Sequence, residues 1–352
     1  MLVIIQGMVY NGINSVPRYN VIDDNTKDTC STTFHTHNFF SATSSFSKNT
    51  GRHPLVESLI SNLSAEPDSQ KRVSMVTAFF RDVSLNGTGM PLAWGNSYTF
   101  LYLQEWGKDE PLRVSGDFNS WSSSGVVMSR CIDSFWLWEA VINITPGSSR
   151  IIYKFVAKDS STGSDIWFPD ANARLYGFDQ FGEYSVLRQG NRSALGRVLA
   201  FKSQYLNNER QLRYYLPPGY DNNTGLLQPA RGYPTVYMHD GQNLFDPSGP
   251  YGSWLVQDVA DSLISRNLTC PFIVVGIDNA GSGRLDEYGQ VQDYIEELGG
   301  LVGGKAPLYA RFVTEEVMPW VRAHLNTMNH RLGTATLGSS MGGLISLYLL
   351  LY

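Results

Sequence analysis

Cysteine is scarce in this chain, with Cys30, Cys131 and Cys270 the only three among 352 residues. An odd number at such wide spacing defines no disulfide framework. Lysine and arginine number 27 against 32 acidic residues, for a formal charge of −5. The basic residues are scattered, which argues against a nucleic-acid footprint. No apolar run approaches the length of a membrane-spanning helix. Met1-Leu2-Val3-Ile4-Ile5 is too short for the apolar region of a secretory leader and lacks a basic start, so no leader is read. Abundant tryptophan and tyrosine, with sequons at Asn62, Asn86, Asn143, Asn191, Asn222 and Asn267, suit a secreted glycoprotein only weakly, and the compartment stays open. Histidine is sparse too. His35, His37, His53, His239, His324 and His330 all precede residue 340.

That limit matters because of what stands at 340. Gly338-Ser339-Ser340-Met341-Gly342 is a G-x-S-x-G pentapeptide, with Thr334-Ala335-Thr336-Leu337 before it as a short strand and the apolar run Gly343 to Leu350 behind it as a helix. Alone, such a pentapeptide is equally well a serine capping a helix beside packing glycines. Its neighbours add weight. Tyr233 to Met238 reads as a buried strand running into His239-Asp240-Gly241-Gln242-Asn243-Leu244-Phe245-Asp246. A helix from Trp254 to about Arg266, a strand Phe272 to Ile277, a loop with Asp278, Asn279, Arg284, Glu287 and Tyr288, and a helix of about Leu308 to Leu325 lead back to the pentapeptide. Strand and helix alternate as in a parallel sheet wound by right-handed crossovers. Ligands of such sheets gather at the carboxyl ends of the strands, where His239-Asp240-Gly241 and Ser340 both fall.

Residues from about Gly196 to the end resemble the "putative esterase" family of α/β-hydrolases, which includes enterochelin, feruloyl and acetyl-xylan esterases. The matching stretches are Leu216-Pro217-Pro218-Gly219-Tyr220, Tyr237 to Asp246, Val275-Gly276-Ile277-Asp278-Asn279, Arg284 with Glu287-Tyr288, and Gly338 to Gly343. The resemblance implies carboxylic-ester hydrolysis through Ser340 and an acyl-enzyme, with no metal or organic cofactor. In this fold the oxyanion donors are the N–H after the nucleophile, here Met341, and an N–H between Gly241 and Asn243, assigned to Gln242. By the same resemblance His239, Asp240, Arg284 and Glu287 shape the substrate pocket. The chain order in this fold is serine, acid, histidine, yet 352 − 340 leaves 12 residues after Ser340. The expectation is a C-terminally truncated esterase domain, nearly inactive as it stands, with the edge beside the nucleophile strand uncovered.

Earlier in the chain, residues 72–188 alternate apolar and polar with frequent turn residues, the pattern of an all-β, immunoglobulin-like sandwich. Expected strands are Ser74–Phe80, Ser97–Leu103, Leu112–Gly116, Phe135–Ile144 and Arg150–Ala157. Val114 to Trp121, Tyr153-Lys154-Phe155-Val156 and Trp167 resemble the glycogen-binding type of carbohydrate-binding module. That resemblance places a sugar platform on Trp121, Lys154 and Trp167; the competing reading makes the tryptophans core or interdomain packing. Residues 1–71 read as mostly irregular with a short helix at His53 to Leu63, and 189–195 as a linker before a 196–352 hydrolase domain.

The expected partner is therefore a small-molecule or glycan ester, such as an acylated sugar or a siderophore-like ester, with no nucleic acid and no membrane span. The alternative is a non-catalytic glycan-binding or scaffold protein carrying a degenerate hydrolase domain.

Overall fold

The computed structural model describes residues 2–6 (as backbone), 51–104, 111–220, 229, 231–249, 252–296 and 299–352. His35, His37, Cys30 and Asn222 fall outside the described residues. Strand β1 (Leu2–Gln6) comes first, and helices α1 (Pro54–Ala65) and α2 (Ser69–Leu85) follow. The Asp68 carboxylate caps α2 by accepting from the Gln70 and Lys71 amides. Residues 74–80, expected as a strand, lie inside this helix. The buried set Val76, Phe80 and Val83 recurs at helical spacing, and the Asp68 cap settles the competition that the β-branched residues leave open.

The strands that follow are β2 (Leu92–Trp94), β3 (Ser97–Leu103), β4 (Arg113–Gly116), β5 (Val126–Val127), β6 (Ser129–Ile132), β7 (Phe135–Asn143), β8 (Ile151–Lys158), β9 (Asp165–Phe168), β10 (Leu175–Asp179) and β11 (Gly182–Arg188). β2, β3, β7 and β6 form one sheet, in that order. Its strand β7 is covered on both faces. Trp138 and Ala140 join Phe100 against Val114, Tyr153 and Phe155 of the opposing sheet, while Phe135 and Leu137 join Leu101 against Val56, Leu59, Val76 and Phe80 of the two helices. The alternating large residues of this strand thus serve two cores, and the helices form a third layer.

In the C-terminal part come β12 (Ala194–Ser203), β13 (Asn208–Leu216), β14 (Thr235–His239), α3 (Val256–Ser265), β15 (Ile273–Ile277), α4 (Arg284–Tyr288), β16 (Gln292–Ile295), β17 (Gly300–Gly303), α5 (Ala306–Arg311), α6 (Met318–His324), β18 (Thr334–Ser339) and α7 (Met341–Leu351). A π-helical turn, Phe312–Val317, makes α5 and α6 one continuous helix. β18, β14 and β15 are parallel, with Tyr237 opposite Thr336 and Val275, and β13 joins antiparallel beside β15. This is an α/β-hydrolase-like core. The sheet continues through β12 into β10 by the pairs Leu175–Gly196 and Tyr176–Leu195, so one 12-stranded sheet passes through both parts of the molecule.

The edge of β18 expected to be open is paired. β1 runs parallel to it from Leu2 opposite Ala335 to Gln6 opposite Ser339. Sheet-edge amides and carbonyls demand partners, and this strand supplies them.

One buried ion pair ties the layers together. Arg210 of β13 grips Glu287 of α4 through two bonds of 2.8 and 2.9 Å, and Asn208 adds a third at 2.9 Å. Both charged side chains are 5% exposed or less. Removing one partner of such a pair strands the other charge out of water. Arg210→Met is expected to cost about 3–5 kcal/mol in urea unfolding, and the Arg210→Met/Glu287→Leu double variant to recover most of it.

Candidate active site

Ser340 sits between β18 and α7, with φ 54° and ψ −124°. A non-glycine residue is held in that region only when its surroundings impose it, at a cost of about 1–3 kcal/mol. The strain turns the exposed serine out at the carboxyl end of the sheet. The flanking glycines explain how strand and helix come so close. A Cβ on Gly338 would stand 2.4 Å from the carbonyl carbon and oxygen of Gly342, and one on Gly342 would meet Asp240 Oδ2 at 3.2 Å and His239 Cβ at 3.4 Å. These contacts also place the end of β14 directly against the start of α7. α7 begins at Met341, and the Gly343 and Leu344 amides are the first to bond within it, to the Ser340 carbonyl at 2.9 and 3.1 Å, so the Met341 and Gly342 amides precede its ladder.

Beyond β14 the chain turns at Asp240, itself left-handed with φ 59° and ψ 48°, into a 3₁₀ turn over Gly241–Asn243. Gln242 Oε1 accepts from the Asn279 amide at 3.1 Å, which fastens this turn to the loop after β15. The Asp240 carboxylate receives two bonds from Arg284, at 2.7 and 2.9 Å, and one from Asn279 Nδ2 at 2.7 Å. Its negative charge raises the Arg284 pKa, chiefly through that hydrogen bond.

His239 faces the interior. Its imidazole is 2% exposed, with Nδ1 2.9 Å from Tyr309 Oη and Nε2 3.2 Å from Thr336 Oγ1, and the rings of Tyr288 and Tyr309 pack on it at 5.6 Å. Burial lowers its pKa to about 4. Both nitrogens are engaged, so His239 joins β14 to α5 and β18 beneath the Asp240–Asn243 turn. The other described histidines are engaged elsewhere. His53 caps α1 and packs edge-on against Trp94, His324 stacks on Trp320 at 4.3 Å, and His330 caps the turn before β18. β18 separates His330 from Ser340 by about 16 Å of extended chain.

The structure therefore brings Ser340, Met341, Gln242, Asp240 and Arg284 to one rim. Glu287 is instead committed to Arg210. Sequence reading alone does not reach Arg210, Asn279 or Tyr309 as parts of this network. For Arg210 a signal existed: it shares one strand face with Leu212 and Tyr214, and a charge at an inward position needs a buried partner.

In the N-terminal part, Trp121 and Trp167 lie 6.1 Å apart with rings tilted by 42°. Val156 pairs with Trp167 across β8 and β9, so Lys154, two residues away, projects on the same sheet face. Lys154 Nζ donates to the Phe181 carbonyl at 2.9 Å. Trp121 Nε1 donates to Asp117 at 2.9 Å, which fixes that ring.

With this geometry in place, residues 203–352 match the model of the Esterase family, described as "Putative esterase". The C-terminal part of the chain is esterase-like. The uncharacterized protein YbbA of Bacillus subtilis (strain 168) is 25% identical over 154 residues, which is 42% of this chain and 54% of that protein. Among solved structures, a CE1 ferulic acid esterase of Anaeromyces mucronatus is 21% identical with a TM-score of 0.32, covering 45% of this chain and 53% of that one. A feruloyl esterase module from Clostridium thermocellum, complexed with sinapinate, is 19% identical with a TM-score of 0.30, covering 45% and 49%. The chain spans about half the length of the relatives it matches. No described helix is long and apolar enough to cross a membrane.

The low pKa of His239 carries a consequence for stability. Its unfolded value is near 6.5, so between pH 6.5 and about 4 the unfolded chain binds a proton that the folded protein refuses. This contribution is complete above pH 6.5 and falls with decreasing pH by about 3 kcal/mol at most. Asp170, pushed up to about 6 by burial, works in the opposite direction, losing stability as pH rises. Unfolding free energies of the unmutated protein and His239→Gln, compared from pH 4 to 8, are expected to converge towards low pH by that amount.

Proposed function

We propose that this protein is a serine carboxylic-ester hydrolase. The observation that carries the reading is the strained, exposed Ser340 at the carboxyl end of the parallel sheet, beside the Asp240–Asn243 turn. Ser340 Oγ attacks the ester carbonyl, its proton passes to a base, and the carbonyl oxygen becomes an oxyanion received by the N–H groups of Met341 and Gln242. Expulsion of the alcohol leaves an acyl-enzyme, which water hydrolyses to release the acid and restore the serine. Each described histidine is engaged elsewhere, so the base is not assigned to any of them.

Acylated sugars are the substrate class this reading favours over siderophore-like esters, because the rings of Trp121 and Trp167 lie together, with the buried Lys154 held beneath by the Phe181 carbonyl. Flat aromatic rings cover the apolar face of a sugar while polar groups hold its hydroxyls. A non-catalytic scaffold would have no use for backbone strain at Ser340.

With p-nitrophenyl acetate and acetylated oligosaccharides, Ser340→Ala is expected to lower kcat/KM by at least about a thousandfold. Equal turnover by the variant sinks the proposal. Mobility of the protein in amylopectin gels is expected to be retarded, and Trp121→Ala to abolish the retardation. Unretarded migration of the unmutated protein removes the sugar platform.

A further inference from the structure

The Arg284 side chain has a role that follows from what holds it. α4 is only five residues long, yet it is fastened on two sides. Glu287 is locked to Arg210 of β13, and Tyr288 is fully buried, 5.1 Å from Tyr309 and 5.6 Å from His239. A rigid base of this kind presents Arg284, itself 25% exposed, to the Asp240 carboxylate as a two-bonded fork. Tyr288 completes the link from the other side, its hydroxyl accepting from the Asp240 amide at 3.3 Å.

We propose that Arg284 is a positioning residue that holds Asp240 in its left-handed conformation and so sets the Gly241–Gln242 amides opposite Ser340. The inference rests on the ester-hydrolase reading of that serine. Asp240 is the hinge of the turn, and its Oδ2 is near enough to the start of α7 that a Cβ on Gly342 would stand 3.2 Å from it. Fixing one carboxylate therefore fixes the spacing between the two oxyanion donors. Charge matters as well as geometry. An uncompensated carboxylate at this place would repel the negative charge that develops on the substrate carbonyl, and Arg284 cancels it. A guanidinium spent in this way acts through Asp240 and does not contact the substrate.

The test measures kcat and KM for p-nitrophenyl acetate on the whole protein, with melting temperature as a control for folding. Arg284→Gln is expected to lower kcat by about tenfold to a hundredfold while KM moves less than about threefold. Arg284→Lys, which keeps the charge and loses the fork, should fall between. Adding Asp240→Asn to Arg284→Gln removes the stranded carboxylate and should restore part of kcat. A raised KM with unchanged kcat overturns the inference and makes Arg284 a substrate contact. A loss of kcat that only tracks a lowered melting temperature, with no recovery in the double variant, overturns it too. Ser340-dependent turnover that is indifferent to Arg284 defeats this inference alone, whereas turnover that survives Ser340→Ala defeats the ester-hydrolase reading, and this inference with it.

Discussion

Parallel pairing of β14 with β18 is the constraint on which the site depends. Because the two strands run the same way and in register, with Met238 opposite Leu337, their carboxyl ends finish together. The Asp240–Asn243 turn and Ser340 are then neighbours without any long-range loop having to find its place. Close approach is completed by Gly338 and Gly342, where a side chain would collide with backbone or with Asp240. Strain at Ser340 is sustained by this packing, since the sheet on one side and α7 on the other leave the residue no relaxed alternative.

Around that pairing the charged groups are arranged in two tiers. Deeper in the molecule, Arg210 and Glu287 exclude water and fix α4 to β13; at the rim, Arg284 and Asp240 keep partial contact with solvent. His239 and its tyrosines fill the space between, a polar cluster held neutral by burial. A third pair, Arg213 with Asp278, fastens the end of β15 to β13 with bonds of 2.9 and 3.1 Å. Buried pairs of this sort contribute modestly to net stability but penalise misplacement heavily. Their consequence here is geometric: Glu287 ties α4 and Asp278 ties the loop after β15 to β13, while Arg284 ties α4 to the turn after β14.

Much of the C-terminal half is legible in the sequence. The elbow at Ser340, the strand before it and the turn after His239 are contiguous in sequence, and local rules suffice for contiguous features. Ser74–Phe80 was not legible as a helix, since its apolar and β-branched residues satisfy strand and helix patterns alike, and the decision fell to the Asp68 cap and to burial against β7 and β12. His239 looked like a pocket residue by its place in the motif. Its side chain turns inward because strand alternation puts it on the face that meets Tyr309.

The amino-acid sequence by itself determined the nucleophile candidate, the strand and helix alternation and the aromatic sugar-platform candidates, because each is encoded within a few consecutive residues. Only the tertiary structure decided that Trp121 meets Trp167, that β1 pairs with β18, and that Arg210 reaches Glu287 across 77 positions of chain. Those contacts join residues far apart in sequence, and no local propensity specifies which distant partner a buried charge or an open strand edge will find.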